Sequence, residues 1–261
     1  MEKGKLLQEY KQSSSMWIVY GFFIGLFVLI ALGGLSLAFL LPNEPGMGFA
    51  SKFIFVFGLA MAVIFYASAK KKMDKPQYFL YENGLERKYK SQEYLMPVKN
   101  LTDLFLFTTG KSPAPNNLAF KSDGSDQWEL ISINHSGDIG ALIDINCAKR
   151  SEYLWQEIEQ GKIIKFNYIT TATALKNSFT ALSANTFLNS KSKQISLNRE
   201  FLTVNDTNYP LADLQPIQRA MVKGYSIKDK NGKEVFSFSE TTLWSFAVFA
   251  EIYERLLKNR S

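Results

Sequence analysis

His135 and Cys147 are the only histidine and cysteine in the chain, and neither has the company its chemistry needs. A nucleophilic thiol requires a base or an electropositive pocket, whereas the identifiable neighbour of Cys147 is the acid Asp144. Cys147 therefore reads as a partly buried structural thiol. With no second histidine to relay a proton or share a metal, His135 in Asn134-His135-Ser136 reads as a surface or capping residue where a strand hairpin gives way to a helix. One cysteine excludes a disulfide framework and a cysteine-rich zinc site, and one histidine leaves too few soft ligands for a transition metal. The carboxylates Glu152, Glu157 and Glu159 are charges on a helix face, and no glycine-rich phosphate loop occurs. No catalytic, cofactor-binding or metal-binding residue is expected, and the chain reads as a non-enzyme.

Charge distribution says where the elements lie. The 261 residues carry 30 Lys plus Arg against 24 Asp plus Glu, but eight of the basic residues and only four of the acidic ones fall before residue 76. The bulk of the chain is thus close to neutral. A nucleic-acid binder concentrates positive charge on its folded domain, so no nucleic-acid partner is expected.

Met16 to Leu41 and Phe53 to Ala69 contain no charge and read as two membrane spans. At about 1.5 Å per residue the first reaches about 39 Å and must tilt, and the second, about 26 Å, borrows length from snorkelling lysines. A cleaved signal peptide is the competing reading of the first span; its apolar run is longer than the usual signal and no small-residue cleavage pattern follows. Lys3, Lys5 and Lys11 precede the spans, Lys70, Lys71, Lys72 and Lys75 follow them, and the connecting loop from Pro42 to Lys52 has one lysine and one glutamate. This asymmetry predicts a hairpin in the cytoplasmic (inner) membrane with both termini cytoplasmic. The later lysines are also placed to meet anionic headgroups. Gly21 with Gly25, and Gly34 with Ala38, form small-xxx-small steps on the first span, and Gly58 with Ala62 forms one on the second. Packing within the hairpin is the default use of such steps, and a homo-oligomer through the first span is the alternative. No charge lies inside either span, so no ion or substrate path is marked.

From Pro76 the pattern changes to short aromatic and β-branched runs broken by turn residues, which predicts strands. Tyr78 to Tyr89 reads as a hairpin turning at Asn83-Gly84, and Glu93 to Leu101 and Asp103 to Phe107 continue it. A polar loop with Pro113 and Pro115 follows, then a hairpin from Leu118 to Ile133 turning near Asp123-Gly124. Gly137 to Gln160 reads as one helix, or two broken near Asn146, with Ile139, Leu142, Ile143, Leu154 and Ile158 as its apolar stripe. The order then recurs: Gln194 to Val204, Tyr209 to Ile217, a hairpin from Tyr225 to Phe238 with an Asn231-Gly232 turn, and a helix from Leu243 to Leu257 burying Phe246, Phe249, Tyr253, Leu256 and Leu257. Tyr81-Glu82-Asn83-Gly84-Leu85 aligns with Leu197-Asn198-Arg199-Glu200-Phe201, and Met96-Pro97-Val98-Lys99-Asn100-Leu101 with Tyr209-Pro210-Leu211-Ala212-Asp213-Leu214.

Several antiparallel strands closed by one helix, twice over, resemble the pleckstrin-homology-like superfold. The resemblance rests on Tyr81-Glu82-Asn83-Gly84-Leu85, Gln160-Gly161-Lys162-Ile163-Ile164-Lys165-Phe166 and Tyr209-Pro210-Leu211-Ala212-Asp213-Leu214, and covers roughly residues 78 to 258. With the spans, the chain resembles an uncharacterised bacterial family of membrane-anchored tandem pleckstrin-homology-like proteins. That implies an α+β fold with membrane helices: a cytoplasmic tail over 1–15, a two-helix transmembrane hairpin over 16–69 with spans 16–41 and 53–69, and two curled antiparallel sheets each with a C-terminal helix, over 76–161 and 162–258. The stretch 170–193 is an insertion, in which Leu175, Phe179, Leu182 and Phe187 space out as a short amphipathic helix on a sheet or a partner. The family brings no catalytic residues, and the fold alone does not define function. Eukaryotic pleckstrin-homology domains hold lipid headgroups with basic residues in the opening hairpins, and the resemblance here implies Arg87, Lys88 and Lys90, diluted by Glu82, Glu86 and Glu93. The expected role is a non-enzymatic scaffold holding a protein or peptide partner at the cytoplasmic membrane face, with binding or sensing of anionic lipid as the alternative. A fragment from Lys75 onward is expected to fold without the spans.

Overall fold

The structure, a computed structural model, describes residues 2–12, 15–41, 46–109, 112, 114–132, 135–180, 184–220 and 224–259. It divides into two compact units. One is Lys11–Gln77; the other joins what precedes and follows it, Met1–Tyr10 and Tyr78–Ser261.

The first unit is a pair of helices, α1 (Ser15–Leu40) and α2 (Met47–Met73), both long and apolar enough to cross a membrane. Their outer faces carry large apolar side chains in the open: Ile18 is 74% exposed, Phe39 77% and Phe49 79%. A water-facing surface rarely leaves so large a contiguous apolar area uncovered. α2 is longer at both ends than its uncharged stretch, taking in Lys52 and closing with Lys70, Lys71 and Lys72 in its last turn. Asp74 and Lys75 then leave helical geometry ahead of Pro76, whose ring disfavours a helical residue before it.

The second unit is α+β, built on four antiparallel sheets. The first has the order β1 (Leu6–Tyr10), β2 (Gln77–Tyr81), β3 (Gly84–Tyr89), β4 (Gln92–Pro97), and a second sheet holds β5 (Leu101–Phe107), β6 (Asn117–Ser122) and β7 (Glu129–Ile131). α3 (Ile139–Glu159) follows. β8 (Ile164–Tyr168) then pairs with β9 (Lys193–Leu197), β10 (Phe201–Val204) and β11 (Thr207–Pro210) in a four-stranded sheet, with α4 (Thr171–Thr180) and α5 (Ala184–Leu188) lying between β8 and β9 in sequence. A three-stranded sheet of β12 (Gln218–Arg219), β13 (Tyr225–Lys228) and β14 (Glu234–Phe238) precedes α6 (Phe246–Lys258). Among the described residues, none of the four sheets closes on itself.

The order of four strands, three strands and a helix thus occurs twice. Between the sheets stand matching 3-10 turns, Val98–Asn100 and Leu211–Asp213, preceded by Pro97 at φ −57°, ψ 132° and Pro210 at φ −56°, ψ 129°. A proline ring fixes φ near this value, and the 3-10 turn that follows redirects the chain into the next sheet. Glycines at positive φ sit in the two long hairpins, Gly124 and Gly232 both at +80°.

The segment before the first span, expected as a tail over 1–15, contains β1. Leu6 pairs with Tyr81 and Tyr10 with Tyr78 across the sheet. Tyr10 is fully buried, and its hydroxyl donates to the Asp138 carbonyl at 2.9 Å. The remainder of β1 is exposed or half-buried, with Leu6 39% and Leu7 44% exposed, so the strand lacks the alternation by which strands are read.

α3 is continuous through Asn146. That side chain is fully buried, and its Nδ2 donates to the carbonyls of Val98 at 2.9 Å and Leu101 at 3.2 Å. A buried polar group with partners outside the helix has no reason to break it. The stripe of α3 serves two cores: Leu142 belongs with Tyr10, Leu80, Leu101 and Phe120, whereas Leu154, Trp155 and Ile158 pack with Ile195, Leu202, Phe249 and Tyr253.

Candidate functional site

β3 carries the basic residues marked by the sequence, and pleating sends them apart. Arg87 Nε donates to Glu129 Oε2 at 3.1 Å, and its guanidinium lies 5.4 Å from the Tyr89 ring centre. Lys88 bonds Glu93 at 2.9 Å, lies 3.7 Å from Glu86 and covers the Phe79 ring. Lys90, in the β3–β4 turn at φ 55°, lies 5.0 Å from the Tyr89 ring centre. Alternate strand residues face opposite sides, so the three do not converge on one anion. Glu86 is 2% exposed and accepts from Lys3 and from the Tyr81 hydroxyl. Burial pushes its carboxyl up, but those hydrogen bonds and the Lys3 and Lys88 charges outweigh it and hold the group below its ordinary value.

Of the lysines after the spans, Lys70, Lys71 and Lys72 end α2 and Lys75 lies just beyond. The Lys72 ammonium lies 5.6 Å from the Tyr20 ring centre on α1, and its carbonyl accepts from Gln12 Nε2 at 3.1 Å. The small-residue steps divide sharply. A Cβ on Gly34 would stand 2.8 Å from the Phe55 nitrogen, and one on Gly58 2.7 Å from that of Ala31, so these two make the close helix approach, and Ala62 is buried with them. Gly21 and Gly25 have nothing within 4 Å of where a Cβ would stand and take no part. Sequence reading missed Ala31, 1% exposed, and the rings of Phe23 and Phe27, each 5.3 Å from Phe65.

His135 is neither on the surface nor at the cap of α3, which is Asp138: it is 9% exposed, and its Nδ1 accepts the Ser132 backbone N–H at 3.1 Å. Asn134 lies outside the described residues. Burial first, then Glu251 and Asp144, push the Cys147 thiol up, opposite to what a nucleophile needs. In the 170–193 stretch Phe187 is 4% exposed and stacks on Phe107 at 4.8 Å, whereas Leu175 is 58% exposed. Leu182 and the side chain of Phe179 lie outside the described residues. Among the described residues no group of three His, Cys, Asp or Glu is placed to hold a metal ion.

One site no motif announced lies where the two sheet-and-helix halves meet. β5 is irregular between Thr102 and Phe105, with Asp103 at φ 52°, which turns Leu104 out of the ladder. Leu104 N–H donates to Ser245 Oγ at 3.1 Å, and Ser245 N–H donates to the Leu104 carbonyl at 2.7 Å. Alongside, Asn167 Nδ2 donates to Asp103 Oδ1 at 2.8 Å while the Asn167 carbonyl accepts from Trp244 at 2.9 Å. Burial dominates at Asp103 and pushes its carboxyl up despite the Asn167 bond. This joint frames a cavity of about 280 Å³ walled by Leu104, Leu106, Ile143, Phe246 and Val248, with Asn146, Asp144, Ser245 and Glu240 as its polar lining. The one signal in the sequence was Asn146 inside an apolar stripe, which reads equally well as a helix break.

No family model, curated protein or solved structure matches the chain.

Proposed function

We propose that the chain is a non-enzymatic membrane-anchored protein whose tandem pleckstrin-homology-like units hold a protein or peptide partner at the cytoplasmic face of a bacterial inner membrane. One observation carries the reading: the chain leaves the first sheet at Tyr10 and returns at its cross-strand partner Tyr78, with the two apolar helices between. An anchor inserted between two paired strands is joined to the sheet through two chain connections, where a terminal anchor has one. The lysine asymmetry supports the orientation. β4 and β11 are outer strands of their sheets, and Tyr94 on β4 is 51% exposed; such an edge accepts an added peptide strand.

Affinity capture of full-length protein in detergent, followed by crosslinking, tests the partner; a crosslink to β4 or β11 is expected, and capture of nothing but the chain itself rejects the scaffold reading. Reporters fused after Ser261 and at Met1 should both mark the cytoplasm, and periplasmic activity at either end rejects the location.

Contact with anionic lipid is the second reading, favoured by the place of the β3–β4 turn. β3 runs antiparallel to β2, so Lys88, Tyr89 and Lys90 stand at the end of the sheet where Tyr78 resumes the chain. Each basic charge near an anionic surface contributes about 1 kcal/mol. Hydrogen exchange of this turn in nanodiscs should slow when phosphatidylglycerol replaces zwitterionic lipid; equal exchange in both would leave the lysines as topology signals alone.

A further inference from the structure

We infer that the open cavity between α4, the β12–β13 edge and the turn 239–242 binds a small zwitterion of dipeptide size, its carboxylate on Arg219 and its ammonium on Glu240. The inference is independent of the membrane anchor and of the partner reading.

The cavity measures about 570 Å³ and lies wholly within the larger unit. Arg219 enters from β12, an outer strand, and stands opposite Tyr225 of β13 in the register of that sheet. Glu240 enters from the turn after β14, where it accepts from the Tyr225 hydroxyl at 3.4 Å. That turn is pinned: Ser239 N–H donates to Thr242 Oγ1 at 2.7 Å, Thr242 N–H returns to the Ser239 carbonyl at 3.0 Å, and the Thr242 carbonyl accepts from Ile169 N–H at 2.9 Å. Both charged residues are exposed, so a solute in the cavity can reach them. Yet among the described residues neither belongs to an ion pair, with the other or with any third group. Two opposite charges thus line one space and leave each other unmatched.

Their chemistry selects the ligand. A lone anion meets Arg219 but is repelled by Glu240, and a lone cation meets the reverse. A neutral polyol would need free hydroxyls, and most of those in the wall are committed: Ser239 Oγ lies 3.1 Å from Thr241 Oγ1 and 3.2 Å from Thr242 Oγ1, and Thr108 Oγ1 donates to the Ala114 carbonyl at 3.4 Å. A molecule carrying both charges satisfies both walls at once. A guanidinium holds a carboxylate through two parallel N–H donors, and a carboxylate accepts from an ammonium. An extended dipeptide places its terminal charges about 7 Å apart, which bridges two charges that do not reach one another. Pro115 and Leu175, the latter 58% exposed, supply apolar wall for an aliphatic side chain. A dry cavity of about 150 Å³ holds benzene, so a dipeptide has room here.

Saturation-transfer NMR and calorimetry on the full-length protein in detergent, with alanyl-leucine, its N-acetyl form and its C-terminal amide as probes, test the assignment. Alanyl-leucine should bind about tenfold more tightly than either blocked form, the size of one charge-assisted hydrogen bond, and its binding should weaken as salt rises. Arg219→Gln should bring that affinity down to the level of the amide, and Glu240→Gln to that of the N-acetyl form. Both variants should keep the thermal transition, because the two side chains are exposed. Binding of alanyl-leucine no tighter than that of the blocked forms, or unchanged by either substitution, overturns the proposal. The comparison among the three probes on the unaltered chain stands even if a variant does not fold.

Discussion

The two halves of the larger unit are interrupted at the same joint, after the first strand, by inserts of opposite character. Between β1 and β2 lie residues 11–76, with the apolar helix pair; between β8 and β9 lie residues 169–192, with α4 and α5. The first insert turns Ile18, Phe39 and Phe49 outward, whereas the second sends Phe187 inward against Phe107. In both halves the flanking strands still pair, Tyr10 with Tyr78 and Tyr168 with Lys193. Loop-closure cost rises only logarithmically with length, so the longer insert costs about 1 kcal/mol more than the shorter. The joint fixes how strands meet and leaves the insert free to face lipid or protein.

The strongest way to break this comparison is to remove the first strand. A fragment from Lys75 keeps every strand except β1 and loses the fully buried Tyr10. Losing a buried aromatic alone costs about 3–5 kcal/mol, against a typical domain stability of about 5–15 kcal/mol. Chemical denaturation should show the first half unfolding early or not cooperatively, and grafting residues 2–12 through a short Gly-Ser linker onto Lys75 should restore one sharp transition. If the ungrafted fragment is as stable as the grafted one, β1 is no part of the first half and the parallel between the inserts falls.

Next in size is closure of the second half. Phe249 is fully buried, edge-on to Phe166 and Phe238, so Phe249→Ala should destabilise by about 3–5 kcal/mol, while the exposed Glu251→Ala should stay within about 0.5 kcal/mol. Unchanged melting with lost partner capture would make α6 a binding surface instead.

Within the helix pair, Gly34→Leu should cost more than Gly21→Leu. The first forces a side chain onto the Phe55 backbone, an overpacking cost of about 1–3 kcal/mol, and the second meets open space. Equal destabilisation of both, read from unfolding in detergent, would mean that Gly21 also faces a neighbouring helix, as it would in an oligomer.

Local signals account for what the sequence made legible. Asn83-Gly84, Asp123-Gly124 and Asn231-Gly232 each sit in or beside a real turn, and the stripe of α6 packs as its spacing says. What escaped reading was non-local. β1 is defined by a partner some seventy residues away, and its own residues are too exposed to alternate. The cavity is assembled from β5, α3 and α6, which no local stretch of sequence brings together. The glycine steps were visible, but which face meets the neighbouring helix depends on rotation about the helix axis, and small residues on two faces left that open.

The smallest effect probes how β1 is held to its half. Glu86 is kept below its ordinary carboxylate value by the Lys3 and Tyr81 bonds despite burial, and Lys3 is held above its own ordinary value chiefly by the Glu86 bond. A depressed carboxylate contributes stability above its unfolded value, about 4.3, and loses it as pH falls through the lower folded value, because the unfolded chain then binds more protons. The raised Lys3 contributes below about 10.4 and loses its share as pH rises through its folded value. Stability of the native chain should therefore carry an acid-side decline below about pH 4 that Glu86→Gln makes shallower, with a modest uniform loss near neutrality because Lys3 is half-exposed. Lys3→Met should likewise make the decline shallower, since Glu86 then keeps its burial, loses its closest cation, and its folded value moves back up towards the unfolded one. Unfolding of the full-length protein in detergent between pH 3 and pH 8, followed by circular dichroism, checks both. Identical profiles for Lys3→Met and the native chain would show that the N-terminal segment is not held through Glu86 at all.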